Sequence, residues 1–202
     1  MYMTMVDGRV CNSATGTSST MRCYICKLTI KDFNNLDKVL KHEVDQSTLG
    51  FGLFTLHAWI RFYECLLHLS YKLTIKKWQA RNESEKMIIL NRKKDIQEKF
   101  KQQLGIIVDK PKPGYGNSND GDSARRFFQN SEISAAITEV DKTLIQRFNL
   151  VLQTISCEFA VNIENFQNYC IETAKLYLNL YPWYNMPVCV HKILIHGSIV
   201  VK

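Results

Sequence analysis

Long apolar runs, repeats and chain breakers are what this sequence has little of. No stretch approaches the roughly 18 consecutive apolar residues that a membrane span needs, which argues against a membrane partner. Met1-Tyr2-Met3-Thr4-Met5-Val6-Asp7 holds neither a basic stretch nor a long apolar core, so we expect no signal peptide. No internal repeat or sustained heptad is visible, which argues against solenoids and coiled coils. No glycine-rich loop ends in the Gly-Lys-Ser/Thr of a P-loop, so a nucleotide pocket of that kind is not expected. Glycine and proline are concentrated: three of nine glycines and two of four prolines fall in residues 110–122. What is left is 202 residues, 46% hydrophobic, enough apolar material for one domain with a real core.

The seven cysteines are an odd, irregularly spaced set. Without a secretory signal, that pattern fits a reducing compartment with metal-bound and buried thiols. Cys65, Cys157, Cys170 and Cys189 sit among apolar residues and read as core positions. Cys23 and Cys26 form a C-x2-C pair around Tyr24-Ile25, and His191 and His196 form an H-x4-H pair near the other end of the chain. Both spacings are within what tetrahedral zinc accepts. If the two halves pair, the chain between residues 26 and 191 is one metal-stapled loop. A cross-link closing so long a loop contributes roughly 5 kcal/mol by chain entropy. The alternative is two unrelated thiols and two histidines at a helix end. Five residues advance an ideal helix by about 140° net, so the second histidine is expected at a fraying end, which Gly197 permits.

The formal charge is +7, and residues 72–112 carry twelve Lys/Arg against five Asp/Glu, as much as the whole chain. That concentration points to a polyanion, nucleic acid before membrane, or else to a solvated helical face. Leu53, Leu56, Ile60, Tyr63, Leu67, Tyr71, Ile75 and Trp78 recur at helical spacing. His57 and His68 on this stripe read as core histidines. A second helix is expected over 83–104, with Ile96 and Phe100 buried, Arg92, Lys93, Lys94, Lys99 and Lys101 clustered, and Gly105 as its stop. Residues 110–122 must be loop. Asp122 or Ser123 can cap the next helix, which starts Ala124-Arg125-Arg126. A helix N-terminus with two arginines and flexible glycines before it suits phosphate; the bland reading is a surface connector. Ile133 to Ile155 reads as one long helix, and Asn162 as the cap of another ending near Tyr181-Pro182. The expected architecture is mainly α, about five helices, with a small strand in residues 1–10, a turn at Asp7-Gly8 and a loop over 11–20.

Four anchors occur in order: Asp7-Gly8 followed by Cys23-Tyr24-Ile25-Cys26; Leu56-His57 and Glu64 with Lys77-Trp78-Gln79; Asn119-Asp120-Gly121-Asp122-Ser123-Ala124-Arg125-Arg126-Phe127-Phe128; and His191 through His196. Together they resemble Transib-type DDE DNA transposases and the related V(D)J recombination-activating catalytic subunit, over nearly the whole chain. The resemblance implies an RNase H-like core with three metal-binding acids, and a helical insertion tied by a Cys2His2 zinc site. On that basis residues 1–22 are a remnant of the core and 23–202 the zinc-stapled insertion. Asp7 corresponds to the second catalytic acid, binding Mg2+ or Mn2+ in a complete site. Cys23, Cys26, His191 and His196 correspond to the zinc ligands. Arg125 and Arg126 correspond to DNA contacts near the cut, and Asn119, Lys93 and Lys94 join them as DNA-binding candidates. A nuclear location, DNA as partner and a possible homodimer follow from the same resemblance, with no small-molecule substrate.

The family's first aspartate and its glutamate have no counterpart in these residues. One carboxylate cannot hold two metal ions at the roughly 4 Å spacing of two-metal phosphoryl transfer. The 202 residues are therefore expected to bind DNA and zinc without cutting, as a transposase fragment or a decayed or domesticated copy. A second reading is a free-standing zinc-stabilised helical module for protein partners. A third is a nuclease using Asp109, Asp120 and Asp122, which crowd one loop.

Overall fold

Helix accounts for most of the computed structural model, which describes residues 8–51, 54–112, 114, 116–157 and 159–201. In chain order these are α1 (Gly8–Ala14), α2 (Leu36–Lys41), a 3-10 turn (Gln46–Phe51), α3 (Thr55–Tyr71), α4 (Glu83–Leu104), β1 (Pro111–Lys112), β2 (Gly116–Asn117), α5 (Gly121–Gln129), α6 (Ser131–Thr138), α7 (Lys142–Ser156), α8 (Ile163–Leu180) and α9 (Val188–Val201). Mainly α is thus correct as a class. Among the described residues the regular strands are β1 and β2, an antiparallel hairpin pairing Pro111 with Asn117 and Lys112 with Gly116. Residues 1–7, the first part of the strand expected over 1–10, and Asp7 with them, lie outside the described residues.

Local chemistry sets most boundaries. The Asn82 side chain accepts from Glu85 N–H to start α4, and Gly105 ends it in the left-handed region at φ 62°. Asn162 caps α8 through Asn165 N–H. The cap of α5 is Asp120, accepting from Ser123 N–H, rather than Asp122 or Ser123. Residues 8–14, expected as the end of a strand over 1–10, a turn at Asp7-Gly8 and a loop, are helical. Their polar side chains satisfy the helix end instead of breaking it: Thr15 Oγ1 donates to the Cys11 carbonyl at 2.8 Å. Gly16 at φ 60° then lets Thr17 N–H reach the Asn12 carbonyl at 2.7 Å. The helix expected from Ile133 to Ile155 is two helices. Glu139 stands at φ 59°, and Asp141 accepts from Leu144 N–H at 2.8 Å to cap α7.

The chain gathers into two compact units, one of them the continuous stretch Trp59–Asn149, the other drawn from the chain on both sides of it. Inside Trp59–Asn149, buried rings fill the core: Phe62 meets Phe148 at 4.7 Å, Tyr63 meets Phe127 at 5.1 Å, and Phe100 meets Phe127 at 5.7 Å between centroids. Edge-to-face and tilted pairs of this kind add about 1 kcal/mol each beyond their buried area. Arg92 of α4 ties three helices together by donating to the carbonyls of Ser70 at 2.6 Å and Thr138 at 3.1 Å.

In the other unit α8 packs on α9. The turn between them is held by Asn34, whose amide donates to the Tyr184 carbonyl at 3.2 Å and accepts from Met186 N–H at 2.9 Å. Trp183 and Tyr184 lie in this turn, ring against ring at 5.5 Å. Tyr184 is buried.

Candidate metal centre

The Cys23–Cys26 turn is a tight knuckle. Cys23 N–H donates to the Leu28 carbonyl at 2.9 Å, and Lys27 N–H to the Cys23 carbonyl at 2.8 Å. A single antiparallel bridge between Arg22 and Thr29 closes its base. Lys27 sits at φ 58°, a left-handed position that lets the chain fold back. Both sulfurs therefore point to one side. The histidines come from α9, which continues as regular helix through Gly197 to Val201. The expected frayed end is absent. Two imidazoles about 70° to either side of a common direction still converge, because each ring carries its nitrogens well away from the helix axis.

Cys23, Cys26, His191 and His196 are all buried, and one ligand atom from each lies within 4.8 Å of the others. A tetrahedral ion with bonds of about 2.0–2.3 Å spaces its donors about 3.5 Å apart, so a small contraction completes the shell. Cys26 Sγ is already 3.3 Å from His191 Nε2. Both ring nitrogens of His196, and Nδ1 of His191, are buried without a hydrogen-bond partner. Buried polar atoms are nearly always satisfied. A metal ion supplies the missing partner for one nitrogen of each ring, so the donor set fits a cation. Phe33 stacks on the His191 ring at 3.8 Å and 9° and fixes its orientation.

The electrostatics agree. Burial works against a Cys23 thiolate, but the neighbouring Cys26, His191 and His196 outweigh it and hold the thiol well below its ordinary value. Cys26 is pushed up, first by its hydrogen bond to Cys23 and then by burial. Burial lowers His191 and keeps it neutral, as a ligand must be. Beside it Lys192 holds its ammonium 3.8 Å over the Tyr24 ring.

The residues expected at DNA are in Trp59–Asn149, and their surroundings differ. Arg125 is exposed, with its guanidinium 5.7 Å over the Trp59 ring. Arg126 donates to the Leu104 carbonyl at 2.6 Å, where a cation suits the C-terminus of α4. Lys93 pairs with Asp109 at 3.3 Å. Lys94 is exposed. Asn119 is buried, giving one amide to Asp109 Oδ1 at 2.6 Å and to Glu64 Oε1 at 3.3 Å.

Sequence reasoning did not find the network these contacts reveal. Asp109, 5% exposed at its side chain, faces His68 Nε2 and Lys93 Nζ, each at 3.3 Å. Its N–H donates to Asn119 Oδ1 at 2.9 Å. Glu64 also meets Arg61 at 2.8 Å. The signal was faint: His68 and Asp109 are forty-one residues apart with no motif between them. The three loop acids of the nuclease reading have separate tasks, with Asp109 in this network, Asp120 capping α5 and Asp122 in its first turn. Among the described residues, the Cys/His quartet is the group that could hold a metal. Among the described residues no helix is long and apolar enough to cross a membrane.

No family model matches this chain, and no curated protein matches it.

Proposed function

We propose that this chain is the zinc-stapled helical insertion of a Transib-type DNA transposase or a derivative of one, acting on DNA in the nucleus. The observation that carries the proposal is the convergence of Cys23, Cys26, His191 and His196 from opposite ends of the chain. The ordered anchors Asp7-Gly8, Cys23–Cys26, Arg125-Arg126 and His191–His196 support the family reading. Zinc is the ion of choice because two thiolates and two imidazoles in a closed, buried shell suit a borderline-soft cation without redox demands. It would be structural, with Asp7 one carboxylate of a separate Mg2+ or Mn2+ site only where two further acids are present. Arg125 is the residue we assign to DNA, and the assembly as a dimer belongs to the same reading.

Elemental analysis of the purified chain should find one zinc per molecule, absent after Cys26→Ser. A salt-controlled shift assay should show DNA affinity that falls steeply with salt and drops on Arg125→Ala. Unchanged binding by that variant would remove the Arg125 assignment. Affinity that ignores salt would favour the second reading, a zinc-stabilised module for protein partners. One observation supports that second reading: Arg92, Lys93 and Arg126 are engaged inside the protein, leaving fewer cations for phosphates.

A further inference from the structure

Within Trp59–Asn149, the C-terminal half of α4 and the strand-like segment after it enclose a groove of about 350 Å³. Its far wall is built rigidly. Gly105 reverses the chain at the end of α4. Ile106 and Val108 then turn inward, each 1% exposed, which leaves Ile107 between them pointing out at 54%. The Val108 carbonyl accepts from Gln97 Nε2 of α4 at 2.8 Å. Lys110 N–H donates to Ser118 Oγ at 3.1 Å. The exposed isoleucine is thus held in place by its neighbours' burial and hydrogen bonds.

Three lysines face this groove: Lys94, Lys101 and Lys110. Among the described residues none of them pairs with a carboxylate, whereas Lys86, Lys93 and Lys99 of the same helix pair with Glu83, Asp109 and Asp95. The one acid in the lining, Glu98, accepts from Gln102 at 2.8 Å. An apolar side chain held in place in one groove with three lysines that lack a carboxylate partner complements an acidic segment carrying one aliphatic residue.

We propose that this groove docks an extended acidic peptide from a partner protein, with one aliphatic side chain against Ile107 and flanking carboxylates on Lys94, Lys101 and Lys110. Two features favour peptide over nucleic acid. Glu98 lies between Lys94 and Lys101 on one helical face, where a run of phosphates would meet a negative charge. A phosphodiester backbone also has nothing to bury on Ile107. The volume, at the low end for ligand pockets, takes one side chain and its adjoining backbone. The inference goes beyond both readings above and holds whether or not Arg125 meets DNA.

Fluorescence anisotropy on the full chain tests it, using the labelled peptide Gly-Asp-Glu-Leu-Glu-Asp-Gly and a labelled oligonucleotide. The peptide should bind, and binding should weaken about tenfold when its leucine is replaced by serine or when Ile107→Ser is made. Lys94→Glu with Lys101→Glu should abolish it, and Arg125→Ala should leave it unchanged. These positions are exposed, and circular dichroism checks that each variant keeps its helix. Equal binding of the leucine and serine peptides would overturn the proposal, reducing the groove to general charge attraction. No binding up to about 1 mM peptide would also overturn it. So would a result in which Lys94→Glu/Lys101→Glu removes only oligonucleotide binding.

Discussion

The Cys/His quartet and the Asp109 network solve one problem with opposite means. Each fastens chain segments far apart in sequence through buried polar side chains. The network carries its own partners: the Asp109 carboxylate has His68, Lys93 and Asn119 around it. The quartet does not, since both ring nitrogens of His196 and Nδ1 of His191 are buried without a hydrogen-bond partner. A polar cluster that closes on itself is a structural joint. One that leaves donors aimed at a common point asks for an ion.

Removing the ion should therefore have the largest effect. Chelation, or Cys26→Ser, should destabilise the unit that holds the quartet by on the order of 5 kcal/mol. A thermal melt with and without chelator reads this as a large loss of the transition temperature. Little change would make the quartet another self-sufficient joint and erase the contrast. Asp109→Asn should come next, costing about 3 kcal/mol, because it takes the buried carboxylate away from Lys93 and His68, which are themselves partly exposed. Urea unfolding measures it.

The same carboxyl gives the contrast a pH signature. Burial raises the Asp109 pKa, but His68, Asn119 and Lys93 outweigh burial and hold it far below the ordinary 3.8. The unfolded chain then binds the proton first as pH falls. The contribution of Asp109 is complete above its unfolded pKa and disappears as pH drops through the folded one. Urea midpoints from pH 6 to pH 2 should fall more steeply for the wild type than for Asp109→Asn; parallel curves would show that the pair contributes nothing.

Smaller effects sharpen each side. Arg92→Met should cost about 2 kcal/mol by leaving the Ser70 and Thr138 carbonyls without their charged donor. In the knuckle, Lys27 at φ 58° should accept glycine with a gain of up to about 1 kcal/mol, while Lys27→Val should cost about 1–2 kcal/mol. Melting of the metal-loaded variants orders the three residues.

The legibility of the sequence followed the range of the interaction concerned. The two ends of α4 were readable, since Gly105 acts within a turn of the helix it ends, and Asn162 is as plain a start for α8. The knuckle was readable from Cys23 and Cys26 for the same reason. The break between α6 and α7 was not, because Ile137, Val140 and Leu144 keep helical spacing across a left-handed Glu139. Neither was α1, where the small polar residues that usually make loops satisfy a helix end instead.

Basic residues were the least legible. Lys93 and Lys94 are neighbours in one cluster, yet one neutralises a buried aspartate and the other faces solvent. Arg125 and Arg126 are both exposed, yet Arg126 is engaged with a helix end. Charge and spacing, which the sequence holds in itself, determined the helical class, the main caps and the four candidate ligands. Only the tertiary structure decided that two histidines on different sides of α9 reach one point, and which cations are already engaged, because both depend on contacts between residues tens to more than a hundred positions apart.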